Sequence, residues 1–200
     1  MKHPSPIILA SQSAARKALL GGAGLVFETC SADVDEGVIR EKHLSRGDTP
    51  QKIAGVLAEA KALKVSAEYP DAYVIGADQI LEFKGKIFEK PDNYDTARNH
   101  LKILRGQNHF LHSAISVVKN NQVLWSCVDQ AKMSMHAFND EFLDDYLKSA
   151  DPEILKCVGC YQLEGLGAQL FEKIDGDYFV ILGLPLLALL EFLRKLPPVQ

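Results

Sequence analysis

Tyr73-Val74-Ile75-Gly76-Ala77-Asp78 is a run of five apolar or small residues that ends in a carboxylate. Such a short apolar run is typical of a buried strand. The preceding residues, 51–68, carry apolar side chains at helical spacing, and Tyr69-Pro70 ends that helix. A carboxylate at the carboxyl end of a buried strand lies where open α/β sheets form their ligand crevice. Asp78 is therefore the first candidate for a catalytic residue.

The rest of the chain interleaves strand and helix patterns in the same way, which predicts an α/β fold. The predicted strands are Ile7–Ala10, a hairpin within Gln79–Phe88, two strands within Phe110–Met135 that turn at Asn120-Asn121, and Gln169–Ile174. The predicted helices are residues 14–20, 51–68, 94–104, 139–147 and 186–196.

Composition limits the classes of protein to consider. The chain has 200 residues, 47% of them hydrophobic, which predicts one domain over residues 1–200 or two closely joined lobes. A formal net charge of -4 argues against broad binding to nucleic acid, although a small basic pocket for one polyphosphate is compatible with it.

Membrane insertion and secretion are not expected. The longest apolar stretch, Val180–Leu190, contains Gly183 and Pro185 and is shorter than the roughly 20 residues that a membrane span needs. The first ten residues lack the pattern of a signal peptide. We therefore expect a cytoplasmic protein, with the leucine-rich C-terminal helix serving the core and a dimer contact.

Two of the four cysteines are closely spaced, in Cys157-Val158-Gly159-Cys160. A structural zinc site takes four ligands, and no second close pair of Cys or His completes such a set. The motif is therefore interpreted as packing beside the pocket rather than as a metal or redox site.

The first predicted strand leads into a serine-rich turn. Ser11 and Ser13 precede a run of helix-forming residues that includes Arg16. Serine is a favoured N-cap, and the free amides and dipole at a helix start attract anions. This turn is a candidate phosphate site.

Other charged residues could complete a polyphosphate site around Asp78. Lys61 lies in the predicted helix, Lys90 follows the predicted hairpin, and Glu36 precedes both. Cations neutralise phosphate oxygens, while carboxylates can hold a divalent ion and activate water. Each lysine taken singly is more often a solvated surface charge, and the sequence does not show that these residues converge.

Eight short motifs follow one another along the chain: Leu9-Ala10-Ser11-Gln12-Ser13-Ala14-Ala15-Arg16, Val34-Asp35-Glu36, Ala58-Glu59-Ala60-Lys61-Ala62, Ile75-Gly76-Ala77-Asp78, Glu89-Lys90-Pro91, Gly165-Leu166-Gly167-Ala168, Gly176-Asp177-Tyr178 and Gly183-Leu184-Pro185. Taken in this order, the motifs resemble those of the Maf family. The family usually has proline and two arginines at positions 14–16 and glycine at position 89. The order and spacing hold from about residue 7 to residue 195, nearly the whole chain.

The resemblance implies a Maf/ITPase-like elongated mixed sheet flanked by helices, with two lobes, a central cleft and a homodimer. It implies hydrolysis of a nucleoside triphosphate between its α- and β-phosphates, aided by Mg²⁺ or Mn²⁺. By position, Asp78 is the proton acceptor, and Asp78 and Glu36 are candidate metal ligands. The implied substrate-binding residues are Ser11, Ser13, Arg16, Glu36, Lys61 and Lys90.

In the Maf family, the residues at three positions vary with the preferred base of the nucleotide. Gln79 and Glu164 match the 7-methyl-GTP branch, whereas the dTTP/UTP branch has Thr and Gln there. Ala15 matches neither the usual Arg nor the Trp of the 7-methyl-GTP branch, and Cys157 replaces a lysine of the pyrimidine branch. A carboxylate accepts both donors of the guanine edge. These residues favour 7-methyl-GTP, with dTTP/UTP or a broad specificity as alternatives.

Two other functions compete with the enzyme. A nucleotide-binding regulator of cell division that does not cleave its ligand is compatible with the altered residues 14–16, although the presence of Asp78, Lys61 and Lys90 favours catalysis. A nucleic-acid binder is disfavoured by the acidic balance of the chain.

Overall fold

The structure, a computed structural model, describes residues 5–196. Its strands are β1 Ile7–Ala10, β2 Glu28–Thr29, β3 Tyr73–Phe83, β4 Lys86–Phe88, β5 Asn108–Lys119, β6 Gln122–Met135 and β7 Phe171–Asp175. Its helices are α1 Ala14–Gly22, α2 Glu36–Leu44, α3 Pro50–Ser66, α4 Tyr94–Leu104, α5 Asp140–Ser149, α6 Tyr178–Ile181 and α7 Leu186–Arg194. Two 3₁₀ segments span Pro152–Lys156 and Leu166–Leu170.

The strands form one mixed sheet in the order β2-β1-β3-β5-β6-β7, with β4 also paired to β3. Strand β1 is parallel to β2 and β3, whereas β3, β5, β6 and β7 pair antiparallel in turn. A mixed sheet flanked by helices confirms the predicted α/β class. The division of the chain into two lobes stays a prediction.

Strand β3 carries the residues on which the site depends, and one of its edges is interrupted. Along one edge β5 pairs continuously with residues 74–82. Along the other edge β1 pairs with residues 73–76 and β4 with residues 81–83. No strand within residues 5–196 therefore pairs with residues 77–80 on that edge, and a gap opens there between β1 and β4.

The expected position of Asp78 at the end of a strand is wrong. Asp78 lies in the middle of β3, because pairing with β5 keeps the backbone extended beyond it as far as Phe83. The crevice arises because β1 stops at Ala10, opposite Gly76. Asp78 thus lies just beyond the carboxyl end of the neighbouring parallel strand.

Most predicted elements are confirmed, including the helix at Tyr94–Leu104 and the strands of the middle segment. The turn between β5 and β6 falls at Asn120 and Asn121, whose φ angles of 51° and 57° suit a tight hairpin turn. The strand predicted at Gln169–Ile174 begins later, at Phe171. Residues 166–170 instead form a 3₁₀ segment, in which Gly167 packs against the backbone of Gln162.

Helices α2 and α6 were not predicted. Helix α2 has no buried residue, so it lacks the apolar periodicity that marks a helix in a sequence. The sequence feature that does indicate its start is Asp35, whose side chain caps the helix by accepting from the Val38 amide. Helix α6 has only four residues, too few to show a period.

Helix α3 lies across β3 at very short range because of Gly76. A β-carbon at Gly76 would lie 2.1 Å from the Ala58 carbonyl oxygen and 2.8 Å from the β-carbon of Ala62. Only glycine permits this approach. The contact brings Lys61 of α3 over the sheet beside Asp78.

None of the helices among residues 5–196 is long and apolar enough to cross a membrane. Helix α7 instead packs Leu186, Leu189 and Leu193 into an apolar cluster with β1, α1 and β3. Its expected role in the core is confirmed.

Candidate active site

A cavity of about 830 Å³ occupies the gap between β1 and β4, a size typical of small-molecule sites. Every residue singled out from the sequence as a site residue lines it: Ser11, Ser13, Ala15, Arg16, Glu36, Lys61, Asp78, Gln79, Lys90 and Glu164. The convergence that the sequence could not show is therefore present in the structure. Their individual roles stay predictions.

Lys61 links the two candidate carboxylates. Its Nζ atom lies 2.6 Å from Oδ1 of Asp78 and 2.9 Å from Oε1 of Glu36. Lys61 and Asp78 are buried, at 9% and 6% exposed, whereas Glu36 at the start of α2 is only partly covered. Three charged groups from β3, α3 and α2 thus meet at the cavity wall.

The two carboxylates differ in their electrostatics. Burial raises the pKa of Asp78 above its usual value, although the charges of Lys61 and Arg16 partly oppose this. Partial burial acts on Glu36 in the same direction, but Lys61, Lys90 and Arg40 together outweigh it and lower the pKa of Glu36. Of the two, Asp78 is therefore the better proton acceptor, and Glu36 is the better permanent anion.

Arg16 forms hydrogen bonds at the unpaired edge of β3. Its Nη1 donates to the Ala77 carbonyl at 2.9 Å and to Ser11 Oγ at 3.1 Å, while its Nε donates to the Gly183 carbonyl at 2.8 Å. The Ala77 carbonyl lies in the gap between β1 and β4, where none of the strands described above pairs with residue 77. Burial lowers the pKa of Arg16 despite the opposing charges of Asp78 and Glu36. Arg16 is a cation at the site, and its hydrogen bonds also connect β3 to the Gly183 segment and to Ser11.

The turn before α1 has the geometry of an anion site. Ser13 is the N-cap of α1, and its hydroxyl accepts from the Arg16 amide at 3.4 Å. The Ser13 amide donates to Ser11 Oγ at 3.3 Å. Residues 11–16, which include the first turn of α1, line the cavity, and the start of a helix attracts phosphate.

Gln79 is held by the chain on the opposite side of the strand from Asp78. Its Nε2 lies 2.9 to 3.1 Å from three acceptors, the carbonyls of Val180 and Ile181 and Ser113 Oγ, which share its two hydrogens. The side-chain oxygen makes no hydrogen bond with any of residues 5–196, so it is the atom of Gln79 that a ligand donor could reach. Lys90 and Glu164 lie exposed at the cavity wall.

One ion pair at the cavity was missed in the sequence analysis. Nη1 of Arg40, on α2, pairs with Oε1 of Glu89, next to Lys90, and both side chains line the cavity. The only sequence signal was indirect: Asp35 marks a helix start, which places Arg40 one turn after Glu36 and on the same face.

The cysteine pair lies beside the cavity. Cys157 lines it, and Cys160 is buried with its Sγ 3.8 Å from Nδ1 of His100. Burial raises the pKa of Cys157 to about 11 and that of Cys160 to about 12, so both thiols stay protonated at neutral pH. Unreactive thiols agree with a packing role. Residues 5–196 contain no cluster of three or more His, Cys, Asp or Glu side chains able to hold a metal.

Two carboxylates are nevertheless enough for one kind of metal site. Mg²⁺ usually keeps several waters and binds through one or two carboxylates together with substrate phosphates. Asp78 and Glu36 each give one oxygen to Lys61, which leaves the second oxygen of each for such an ion. The donor set fits a divalent ion that arrives with a phosphorylated ligand.

The fold and the cavity define an α/β protein with a deep polar crevice suited to an anionic, polyphosphate-sized ligand. Comparison with known sequences gives the family. A sequence model of the Maf family, described as Maf-like protein, matches residues 6–196. The chain belongs to the Maf family.

Curated relatives align along nearly their whole length. A nucleoside triphosphate pyrophosphatase of Caulobacter vibrioides is 48% identical over 190 residues, which cover 95% of each chain. A 7-methyl-GTP pyrophosphatase of Rhizobium etli is 45% identical over 190 residues, covering 95% of this chain and 96% of the relative. Another of the same name from Brucella abortus is 46% identical over 189 residues, or 94% and 95% of the two chains.

Proposed function

We infer that this protein hydrolyses nucleoside triphosphates to a monophosphate and pyrophosphate. The observation that carries this inference is the contact of Asp78 with Lys61 inside a cavity that also holds Arg16, Lys90 and the first turn of α1. The names of the relatives, nucleoside triphosphate pyrophosphatase and 7-methyl-GTP pyrophosphatase, support the same reaction.

The proposed chemistry follows from the arrangement of charges. Asp78 accepts a proton from a water molecule as the water oxygen attacks the α-phosphorus. The bond from that phosphorus to the oxygen bridging to the β-phosphorus breaks, and pyrophosphate leaves with the bonding electron pair. Lys61, Arg16 and Lys90 stabilise the negative charge that develops on the phosphate oxygens. The raised pKa of Asp78 makes this carboxylate a stronger base than a solvated one.

A divalent ion, Mg²⁺ or Mn²⁺, belongs to the proposal. Asp78 and Glu36 would hold it, and the ion would supply further neutralisation of phosphate charge. Lys61 contacts one oxygen of each carboxylate and so holds both in place at the cavity wall.

The proposed substrate is 7-methyl-GTP. Glu164 at the cavity wall can accept the two N–H donors of the guanine edge, and the positive charge of the methylated base adds to this attraction. Relatives named 7-methyl-GTP pyrophosphatase align over most of the chain, which agrees with this choice.

We also propose that the protein is located in the cytoplasm and forms a homodimer.

A screen of pyrophosphate release tests both parts of the proposal. The purified protein is given 7-methyl-GTP, GTP, dTTP, UTP and CTP, each with Mg²⁺, with Mn²⁺ and with EDTA. We expect metal-dependent release of pyrophosphate, fastest from 7-methyl-GTP and abolished by EDTA. Fastest turnover of dTTP or UTP would overturn the assigned base alone. Binding without any product would favour the non-catalytic regulator.

A further inference from the structure

The Arg40–Glu89 ion pair joins two separate rims of the active-site cavity. Arg40 belongs to α2, and Glu89 directly follows β4. Both rims are fixed underneath, since Ile39 and Ile87 pack against one apolar cluster built on α3 and the sheet. The position of the pair is thus set by the fold.

Arg40 faces the same space as the catalytic charges. It lies four residues after Glu36 on α2, so both side chains project from one face of the helix. Its side chain is 20% exposed and that of Glu89 is 72% exposed, and both line the cavity, so Arg40 is the more enclosed partner of the pair. The charge of Arg40 also lowers the pKa of Glu36, after the larger contributions of Lys61 and Lys90.

Among residues 5–196, the cavity lining holds four other cations, Lys61, Arg16, Lys90 and Lys156, of which Lys156 is paired with Glu153 at 2.6 Å. Lys61 is shared by two carboxylates, and Arg16 donates to two backbone carbonyls and a serine. Lys90 makes no ion pair with any of residues 5–196. A triphosphate therefore meets few uncommitted donors, and Arg40 can become one when it leaves Glu89.

We propose that Arg40 is an additional phosphate-binding residue and that Glu89 competes with the triphosphate for it, as an intramolecular substitute for the phosphate. This deepens, and rests on, the function proposed above. A guanidinium presents paired donors that match phosphate oxygens as well as carboxylate oxygens. On binding, a phosphate group replaces the Glu89 carboxylate as the partner of Arg40. The ion pair between the two rims is then broken, and both rims contact the ligand instead.

Binding of inorganic tripolyphosphate, measured by titration calorimetry, separates the contributions of the two residues without requiring turnover. We expect Arg40→Gln to weaken binding about tenfold, as for other charge-assisted contacts. Glu89→Gln should strengthen binding several-fold, because the competing carboxylate is removed. The double variant should match Arg40→Gln, since Glu89 acts only through Arg40. Arg46→Gln and Glu41→Gln, exposed residues of the same region outside the cavity lining, are the matched controls and should bind like the parent.

Three outcomes would overturn the proposal. They are unchanged binding by Arg40→Gln, weaker binding by Glu89→Gln, and a double variant that retains the gain of Glu89→Gln. This test is distinct from that of the proposed function. If the parent protein binds tripolyphosphate but releases no pyrophosphate from any nucleotide, the proposed reaction is wrong, and the proposed competition between Glu89 and phosphate for Arg40 still holds. A parent that does not bind tripolyphosphate refutes the exchange between Glu89 and phosphate, whereas the reaction is judged by pyrophosphate release alone.

Discussion

Two pairs of polar side chains are buried in this fold, and they differ in whether burial leaves them charged or neutral. At the cavity, Asp78 lies 2.6 Å from the Lys61 ammonium, with Glu36 and Arg16 close by. In the apolar cluster beneath α4 and α5, Nε2 of His109 lies 2.7 Å from the Tyr161 hydroxyl. Burial lowers the pKa of His109 to about 4 and raises that of Tyr161 far above its usual value. The second pair is therefore neutral.

The difference between the pairs is in their neighbours. Burial disfavours charge at both sites, but only the cavity supplies opposite charges that offset the cost. A neutral pair holds the core together and has no use for a ligand, whereas carboxylates and cations held in an open crevice can exchange partners with an anionic substrate. Each of the following changes tests one side of this contrast.

The largest effect is expected from Asp78→Asn. The amide keeps the size of the side chain but cannot accept the proton of the attacking water. Pyrophosphate release should fall by about 10² to 10⁴-fold, the usual worth of a general base. Steady-state kinetics measures the loss, and Asp71→Asn, an exposed neighbour outside the cavity, is the matched control. Turnover close to that of the parent would refute the role of Asp78.

The contact between α3 and β3 should fail in Gly76→Ala. The added carbon would meet the Ala58 carbonyl at 2.1 Å, and backbone cannot move aside as a flexible side chain can. We expect a loss of about 3 kcal/mol in the free energy of unfolding, measured with urea. Gly21→Ala, where a β-carbon meets no atom within 4 Å, is the control and should not destabilise the protein. Equal stabilities of the two variants would contradict the close packing.

The neutral pair predicts a pH dependence of stability. His109 has a folded pKa of about 4 and an unfolded value of 6.5, so the unfolded state binds its proton first as the pH falls. Stability should therefore decrease from pH 6.5 down to pH 4, by roughly 3 kcal/mol from this group. Urea unfolding at several pH values measures the slope.

His109→Gln supplies the comparison for that slope, because an amide can still bond the Tyr161 hydroxyl but does not titrate. The difference in stability between parent and variant should shrink as the pH falls through this window. A constant difference would show that His109 is not held neutral by the core.

The smallest effect is expected at the cavity wall, from Glu164→Gln. The amide cannot accept both donors of the guanine edge as a carboxylate does. The preference for 7-methyl-GTP over UTP, measured as the ratio of kcat/KM values, should fall roughly tenfold. Glu172→Gln, an exposed change outside the cavity lining, should leave the ratio unaltered. An unchanged ratio in Glu164→Gln would remove this residue from base selection.

Local patterns were enough to predict several features of this fold. The apolar run before Asp78, the spacing of helix α4 and the Asn120-Asn121 turn each depend on neighbouring residues alone. The ordered motifs likewise led to the Maf family, to which the chain belongs. The start of β7 was placed too early, because the packing of Gly167 against Gln162 is a contact that no periodicity records.

The sequence by itself determined the α/β class, most of the elements and the residues that could carry the chemistry. Tertiary structure decided where the crevice opens, because a gap between β1 and β4 along one edge of β3 depends on pairing between distant segments. It also decided which charges meet: Lys61 reaches Asp78 through Gly76, and Arg40 reaches Glu89 across 49 positions of the chain. Such contacts depend on the distance between side chains in space, and a linear pattern does not contain that distance.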